Sequence, residues 1–156
     1  MSQLINLEWV ASGQKLNDVY PAKGDVDDGA GHAIVTAYAV RRSDGLWSLL
    51  VVNRDQHNAH HVQIQFQDQS SHGSESFDGT VAISTFGKAQ YQWHPGHTRY
   101  VGHAEYPAEP SVTAETTGMA DPDGPILHTE RNVVADSIYD LPAASIVVIR
   151  GNLRAR

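Results

Sequence analysis

The chain has 156 residues, of which 40% are hydrophobic and 19% are charged, a balance typical of one folded domain with a sizeable core rather than of a disordered chain. A formal net charge of −7 and the lack of any basic run argue against nucleic acid and anionic membrane surfaces as partners. Because the chain contains no cysteine, disulfides, thiolate catalysis and thiolate metal sites are excluded.

A single domain is predicted over residues 1–156, beginning with an irregular N-terminal segment at residues 1–32. The opening residues have neither a basic region nor a long apolar one, so we expect no signal peptide there. An export signal further upstream in a longer parent enzyme is compatible with this sequence, and the localisation is left open. No apolar run approaches the roughly 20 residues of a membrane-spanning helix.

Residues 33–67 contain three apolar runs separated by two polar clusters. Gly45 lies in the first cluster, where it supplies the positive φ that a tight return between strands needs. The middle run, residues 46–53, is apolar on both faces, which is typical of a strand covered on two sides. The third run, residues 61–67, alternates strictly between apolar and polar side chains. We predict a three-stranded antiparallel meander whose central strand lies in the core.

The second half of the chain carries further short apolar runs between turn signals. Residues 68–78 are predicted to form a polar loop, and residues 94–125 a long loop that is functional, mobile, or hides a short strand at 111–115. Further strands are predicted at residues 79–86, 89–93, 126–135, 137–141 and 144–150. No helical periodicity of useful length is found. About eight short strands of this kind predict an all-β fold, an antiparallel β-sandwich.

An acidic loop contains Asp25, Asp27 and Asp28, and such a loop is a candidate site for Ca²⁺, which takes six to eight oxygen ligands. The twelve-residue EF-hand spacing and its closing Glu are missing, so turn capping in a solvated loop is the favoured interpretation and no cofactor is expected. The chain has nine histidines. However, His60 and His61 are neighbours on a predicted strand and point to opposite faces, so a zinc site is not expected.

The sequence lacks the patterns that carry common enzyme chemistry. None of the glutamates lies in a recognisable catalytic motif, as a glycosidic acid and its partner carboxylate would require. No serine lies in a Gly-x-Ser-x-Gly elbow, and glycine-rich phosphate-binding motifs are absent. These observations favour a protein without catalytic activity of its own.

Tyr91 and Trp93 lie two residues apart on a predicted strand and therefore share one face, and His94 follows them. Aromatic faces beside polar groups bind sugar rings by stacking and hydrogen bonding. Trp93, Tyr91, Trp47 and His94 are therefore candidate carbohydrate-binding residues. The alternative, which we favour, is that these rings pack in a core or an interface, where aromatic residues also dominate.

Several stretches of the chain are similar to one known kind of domain: residues 25–32, 35–40, 44–55, 84–93, 121–125 and 141–151. They resemble the C-terminal β-sandwich of bacterial glycoside hydrolases of the β-xylosidase and α-L-iduronidase type, glycoside hydrolase family 39 and its clan A relatives. The signature consists of Val-Val-Asn-Arg-Asp at residues 51–55 and Leu-Pro-Ala-Ala-Ser at residues 141–145. In those enzymes a (β/α)₈ barrel carries the catalytic glutamates. Such a barrel needs about 250 residues, so no catalytic residue is assigned here.

The resemblance implies a non-catalytic accessory β-sandwich that packs against or supports a glycosidase barrel. In clan relatives a strand that precedes the barrel often completes the sandwich. If that strand is missing, an open edge or an apolar patch is expected to cause self-association. The alternative function is a self-standing carbohydrate-binding module with an oligosaccharide as its ligand. A small hydrolase is the least favoured class.

Overall fold

The computed structural model describes residues 18–67, 73–91, 93–94, 98–100, 114–116, 119–120 and 126–155. Within these residues the fold is all-β, without a helix, and its strands pair antiparallel in a roughly sandwich-like arrangement with one sheet curled into a half-barrel. The predicted fold class is therefore confirmed. The same part of the chain contains no helix with the length and apolar character needed to cross a membrane.

The described residues form thirteen strands. They are β1 (Asp18–Pro21), β2 (Val35–Arg41), β3 (Trp47–Asn53), β4 (His60–Gln63), β5 (Phe66–Gln67), β6 (Ser74–Phe86), β7 (Trp93–His94), β8 (Thr98–Tyr100), β9 (Ala114–Thr116), β10 (Met119–Ala120), β11 (Leu127–Val133), β12 (Ile138–Leu141) and β13 (Ser145–Ala155). Eight of these strands have four residues or more, and the others have two or three.

The main sheet has the strand order β1-β2-β3-β13-β6-β11, and β5 also pairs with β6. Strands β2 and β3 pair as predicted, with Gly45 at a φ of 86° in the turn between them. The predicted third strand of the meander is wrong, because β4 pairs with β12 and the place beside β3 is taken by β13. The physical reason is burial. β13 is apolar on both faces and suits the centre of a sheet, whereas β4 has one apolar face and suits a covering layer.

The core lies between the main sheet and the β4–β12 ribbon. Eleven buried residues form it: Val35, Ala39, Leu49, Val51, Phe77, Val81, Val133, Tyr139, Leu141, Val147 and Ile149. Leu141 of β12 and Val81 and Ile149 of the main sheet are fully buried. The ribbon therefore serves as the second layer of the sandwich, which its alternating apolar residues require.

The opposite face of the main sheet is also buried at its centre. Leu50 and Val148 form a second apolar cluster, against which Ile126 and Ile146 pack. Leu50 is 8% exposed, so β3 is buried on both faces as its sequence predicted. Ser48 is buried on the same face, 1% exposed, and its hydroxyl has no hydrogen-bond partner among the described residues.

The pairing of β13 with β6 contains a bulge. The pairing register shifts between Arg150 and Asn152, at Gly151. A Cβ atom at Gly151 would lie 2.8 Å from Cγ1 of Val81 and 3.2 Å from Cδ1 of Phe77. Glycine is therefore required where the core side chains of β6 approach the backbone of β13.

Two predicted boundaries are wrong near β6. The strand begins at Ser74, inside the predicted loop of residues 68–78, and Phe77 is 1% exposed in the core. A single aromatic residue among polar neighbours gave no alternating pattern to detect. Residues 89 and 90 of the predicted strand at 89–93 instead belong to a turn, in which the N–H groups of Gln90 and Tyr91 both donate to the Gly87 carbonyl at 2.9 Å, and Trp93 begins β7.

The predicted long loop and the irregular N-terminal segment both contain strands. Within residues 94–125, β8 pairs with β9 and β10 pairs with β7. The short strand expected at 111–115 is found at Ala114–Thr116, later than predicted. Within residues 1–32, β1 forms one edge of the main sheet, while residues 1–17 lie outside the described residues.

Candidate functional site

The four candidate carbohydrate-binding residues lie in three different places. Trp47 is the first residue of β3, and Tyr91 follows the turn after β6. Trp93 and His94 form β7, whose backbone pairs with β10, and their side chains lie outside the described part of the chain. Because residues 88–90 form a turn, the predicted strand at residues 89–93, on which Tyr91 and Trp93 would share one face, does not form over its first residues.

Trp47 belongs to a row of aromatic rings that leads from the sheet edge into the core. Its ring centroid lies 5.1 Å from that of Tyr20 and 5.3 Å from that of Phe66. The row continues from Phe66 to Phe77 at 5.2 Å and from Phe77 to Tyr139 at 6.4 Å. Tilted and edge-to-face contacts at these distances stabilise aromatic clusters. Trp47 is half-buried, and the contacts it makes are packing contacts.

Tyr91 differs from Trp47 in that nearly half of its surface, 47%, is exposed. Its ring meets Phe86 at a centroid distance of 6.2 Å and an interplanar angle of 67°. Phe86 is opposite Ile146, on the face of the main sheet away from the Trp47 row. On β3, Ile146 pairs with Val52, and Trp47 lies five residues, roughly 17 Å, along the strand from Val52. Trp47 and Tyr91 therefore cannot contact one sugar ring together.

The acidic loop that was the candidate Ca²⁺ site uses two of its carboxylates to hold its own backbone. Asp27 accepts a hydrogen bond from the N–H of Gly29 at 2.7 Å. Asp28 accepts from the N–H of Ala30 at 2.8 Å and of His32 at 3.1 Å, and its second oxygen lies 2.8 Å from Nδ1 of His32. The hydrogen bond from the His32 side chain is the main cause that lowers the pKa of Asp28.

No hydrogen bond joins the Asp25 side chain to Asp27 or Asp28. Across the residues that the structure describes, no group of three or more His, Asp and Glu side chains is arranged to hold a metal ion. The geometry of the loop fits the turn-capping interpretation, in which short acidic side chains accept backbone N–H groups. The Ca²⁺ hypothesis itself stays a prediction.

The side-chain amide of Asn53, which is 2% exposed, makes four hydrogen bonds. Its Nδ2 donates to the carbonyls of Asn58 at 3.1 Å, Leu141 at 3.2 Å and Pro142 at 2.9 Å. Its Oδ1 accepts from the N–H of Asp55 at 3.0 Å. One amide thus joins the end of β3, the following loop and the turn between β12 and β13.

Further hydrogen bonds close this network, which we call the Asn53 network: residues 53–60 and 141–145. The N–H of Ala144, whose φ of 48° is left-handed, donates to the Asp55 carbonyl at 2.7 Å. The hydroxyl of Ser145 donates to the Pro142 carbonyl at 2.6 Å. The two halves of the signature, residues 51–55 and 141–145, are therefore adjacent in space although about ninety residues separate them.

Asp55 organises the loop of this network. Its carboxylate accepts the backbone N–H groups of His57 and Asn58, both at 2.9 Å, and lies 3.0 Å from Nε2 of His60. The backbone hydrogen bond from His57, followed by that from Asn58, holds the pKa of Asp55 well below its usual value. The carboxylate is fully occupied as an acceptor, so it stabilises the loop rather than acting as a general acid at neutral pH.

A shallow groove of about 350 Å³ lies on β6 and β11, lined by Ser84, His128 and Glu130 among others. Oγ of Ser84 lies 2.8 Å from Nδ1 of His128, across the pair of strands. A hydroxyl beside an imidazole resembles part of a nucleophile and base arrangement. A triad needs a carboxylate that orients the histidine, and among the described residues no carboxylate contacts His128. The pair therefore lacks the third member of a hydrolase site.

Sequence reasoning missed this groove and the Asn53 network. Ser84 and His128 are 44 residues apart, and only the antiparallel register of β6 and β11 brings them together. No protein-family model matches the chain, and a search of curated proteins finds no match either. The resemblance to glycosidase sandwiches therefore rests on the signature residues and stays a prediction.

Proposed function

We propose that this chain is the non-catalytic accessory β-sandwich of a carbohydrate-active enzyme and that it packs against a glycosidase barrel. The observation that supports this proposal is the Asn53 network, in which both halves of the signature meet. The side chains of Asn53, Asp55 and Ser145 all form hydrogen bonds with backbone groups of the framework. A supporting domain is expected to share such framework residues with its relatives.

The edge formed by β1 and β2 is the surface that we assign to the barrel contact. Val19 is 50% exposed and Tyr38 47%, and the pairing of β1 with β2 places both on the face of the sheet away from the Trp47 row. Exposed apolar clusters and tyrosines are typical of interfaces. A glutamate introduced at Tyr38 would place a charge that has to be desolvated when the surface is covered.

The proposal is tested with a β-xylosidase barrel that is expressed without its own sandwich and mixed with this chain. We expect a complex in sedimentation velocity, weakened at least tenfold by Tyr38→Glu. The matched control is Leu127→Glu, since Leu127 is 51% exposed on the opposite edge of the sheet. No complex at high micromolar concentrations, or equal weakening by both variants, would contradict the assignment.

A catalytic assay tests the same proposal from the other side. The purified chain is incubated with aryl xylosides, arabinosides and glucosides, and we expect no release of the aryl group above that of a blank. Hydrolysis that follows the protein through purification and disappears when one glutamate is mutated would refute the accessory function.

A second candidate function, a carbohydrate-binding module, is favoured by the exposed ring of Tyr91. Binding by one exposed ring is weak, so xylo-oligosaccharides are titrated to millimolar concentrations. If the module function holds, Tyr91→Ala abolishes binding without a change in melting temperature. Tyr38→Ala is the control, because both tyrosines are 47% exposed. Equal binding by the parent chain and Tyr91→Ala would exclude Tyr91 as the platform.

A further inference from the structure

Strand β11 is the open edge of the main sheet. It pairs with β6 on one side, and no other strand of the described residues pairs with its outer side. Six of its seven residues are exposed, and only Val133 is buried. An edge of this length presents a row of unpaired backbone N–H and C=O groups that another strand can complete.

Charged side chains usually protect such edges, but one of the two charges on β11 is turned away. The guanidinium carbon of Arg131 lies 4.8 Å from the ring centroid of Tyr139, and Nη2 donates to the Ile138 carbonyl. Arg131 is thereby held against the β12 layer. Glu130 is on the other face, beside His128, because residues two apart on a strand share a face.

A second copy of β11 can extend the sheet in the antiparallel direction. The core-facing sides of the two copies then lie on the same side of the extended sheet only if one residue of β11 lies opposite the same residue of the second copy. When that residue is Thr129, His128 of each copy lies opposite Glu130 of the other, so two complementary pairs form. When it is Glu130 or Arg131, two like charges lie directly opposite, which is destabilising. Complementarity therefore selects the register centred on Thr129.

The side chain of His128 is already held by Ser84, whose hydroxyl lies 2.8 Å from Nδ1. With the hydroxyl donating to Nδ1, the ring carries its hydrogen on Nε2. That nitrogen then donates to the Glu130 carboxylate of the second copy, and a charge-assisted hydrogen bond of this kind is stronger than a neutral one.

We infer that two copies of this chain associate through β11, pairing antiparallel about Thr129 with His128 opposite Glu130 of the second copy. The pairing continues the main sheet from one copy into the other. It uses the edge opposite to the β1–β2 surface that we assign to a barrel, so it does not depend on the proposed function.

The absence of cysteine allows a direct test of the register. Single variants Thr129→Cys, Glu130→Cys and Arg131→Cys are oxidised under mild conditions, and the disulfide-linked dimer is measured on a non-reducing gel. Only Thr129→Cys brings two Cα atoms within the roughly 4.4–6.8 Å that a disulfide spans. Cross-linking at Thr129 at least tenfold faster than at the other two positions supports the proposal. Faster cross-linking at another position, or equally slow cross-linking at all three, overturns it.

A charge swap provides the second test and requires no oxidation. His128→Glu places like charges opposite each other twice, and we expect dimer dissociation to become about tenfold easier in sedimentation velocity. The double variant His128→Glu with Glu130→His exchanges the partners and restores the parent dissociation constant. Failure of the double variant to recover, while its melting temperature equals that of the parent, overturns the pairing, as does a parent chain that is monomeric at millimolar concentration.

Discussion

The replacement of Asn53 by alanine is the most informative single perturbation of this fold. The buried amide makes four hydrogen bonds, to the carbonyls of Asn58, Leu141 and Pro142 and from the N–H of Asp55. Its two N–H hydrogens are shared among three carbonyls, so the four contacts are worth fewer than four full bonds. Asn53→Ala removes all of them; the Leu141 hydrogen bond is buried, and the other three are part-buried.

At about 1 kcal/mol for each net hydrogen bond, and with the sharing taken into account, Asn53→Ala is expected to lower the free energy of unfolding by about 3 kcal/mol. For a chain of this size that corresponds to a fall in melting temperature of roughly 6–12 °C. Urea unfolding followed by tryptophan fluorescence measures the change directly, since Trp47 lies at the border of the core.

The matched control is Asn132→Ala. Asn132 is an exposed asparagine whose side chain accepts one hydrogen bond, from the Thr80 hydroxyl at 2.9 Å. We expect it to cost less than about 1 kcal/mol, because water replaces the lost contact. If Asn53→Ala cost no more than Asn132→Ala, the network would not hold the two halves of the signature together, and these residues would not serve the framework.

Three further predictions concern other positions. Ser48→Ala removes a buried hydroxyl that has no partner among the described residues, so we expect the urea midpoint to stay equal or rise, and a loss above about 1 kcal/mol would show that the hydroxyl is paired. Gly151→Ala brings a Cβ within 2.8 Å of Cγ1 of Val81, so we expect a loss of about 1–3 kcal/mol in the same assay; exposed Asn152→Ala is the control, and equal midpoints would show that the bulge can open. Asp55 has a pKa held below its unfolded value by hydrogen bonds, so its contribution is present above about pH 4 and is lost as the pH falls further. Asp55→Asn should therefore flatten the loss of stability between pH 5 and pH 2, and an unchanged acid slope in urea midpoints would refute this.

Residues that interact with near neighbours in the chain could be placed from the sequence alone. The alternation of apolar and polar residues indicated strands because side chains alternate between the two faces of a sheet. Gly45 marked the turn between β2 and β3 because its backbone conformation is local. The two apolar faces of β3 indicated that both sides of the strand would be covered, which the burial of Leu49 and Leu50 confirms.

The choice of strand partners was decided by the tertiary structure. Periodicity shows which face of β4 is apolar, but it does not show whether β4 lies beside β3 or covers it from the second layer. Burial decides this, since β13 has apolar residues for both faces at the centre of the sheet. Phe77 was missed for a related reason, because one aromatic residue forms no period and is buried only by strands distant in sequence.

The polar contacts show the same division most sharply. Asp28 and His32 are four residues apart, and local turn chemistry suffices to pair them. Asn53 and Leu141 are 88 residues apart in the chain, and Ser84 and His128 are 44 residues apart. Each pair meets only because strands fold back in one register. A sequence records which side chains can donate and accept, but hydrogen bonds act over about 3 Å. Which donor meets which acceptor is therefore determined only when the sheets assemble.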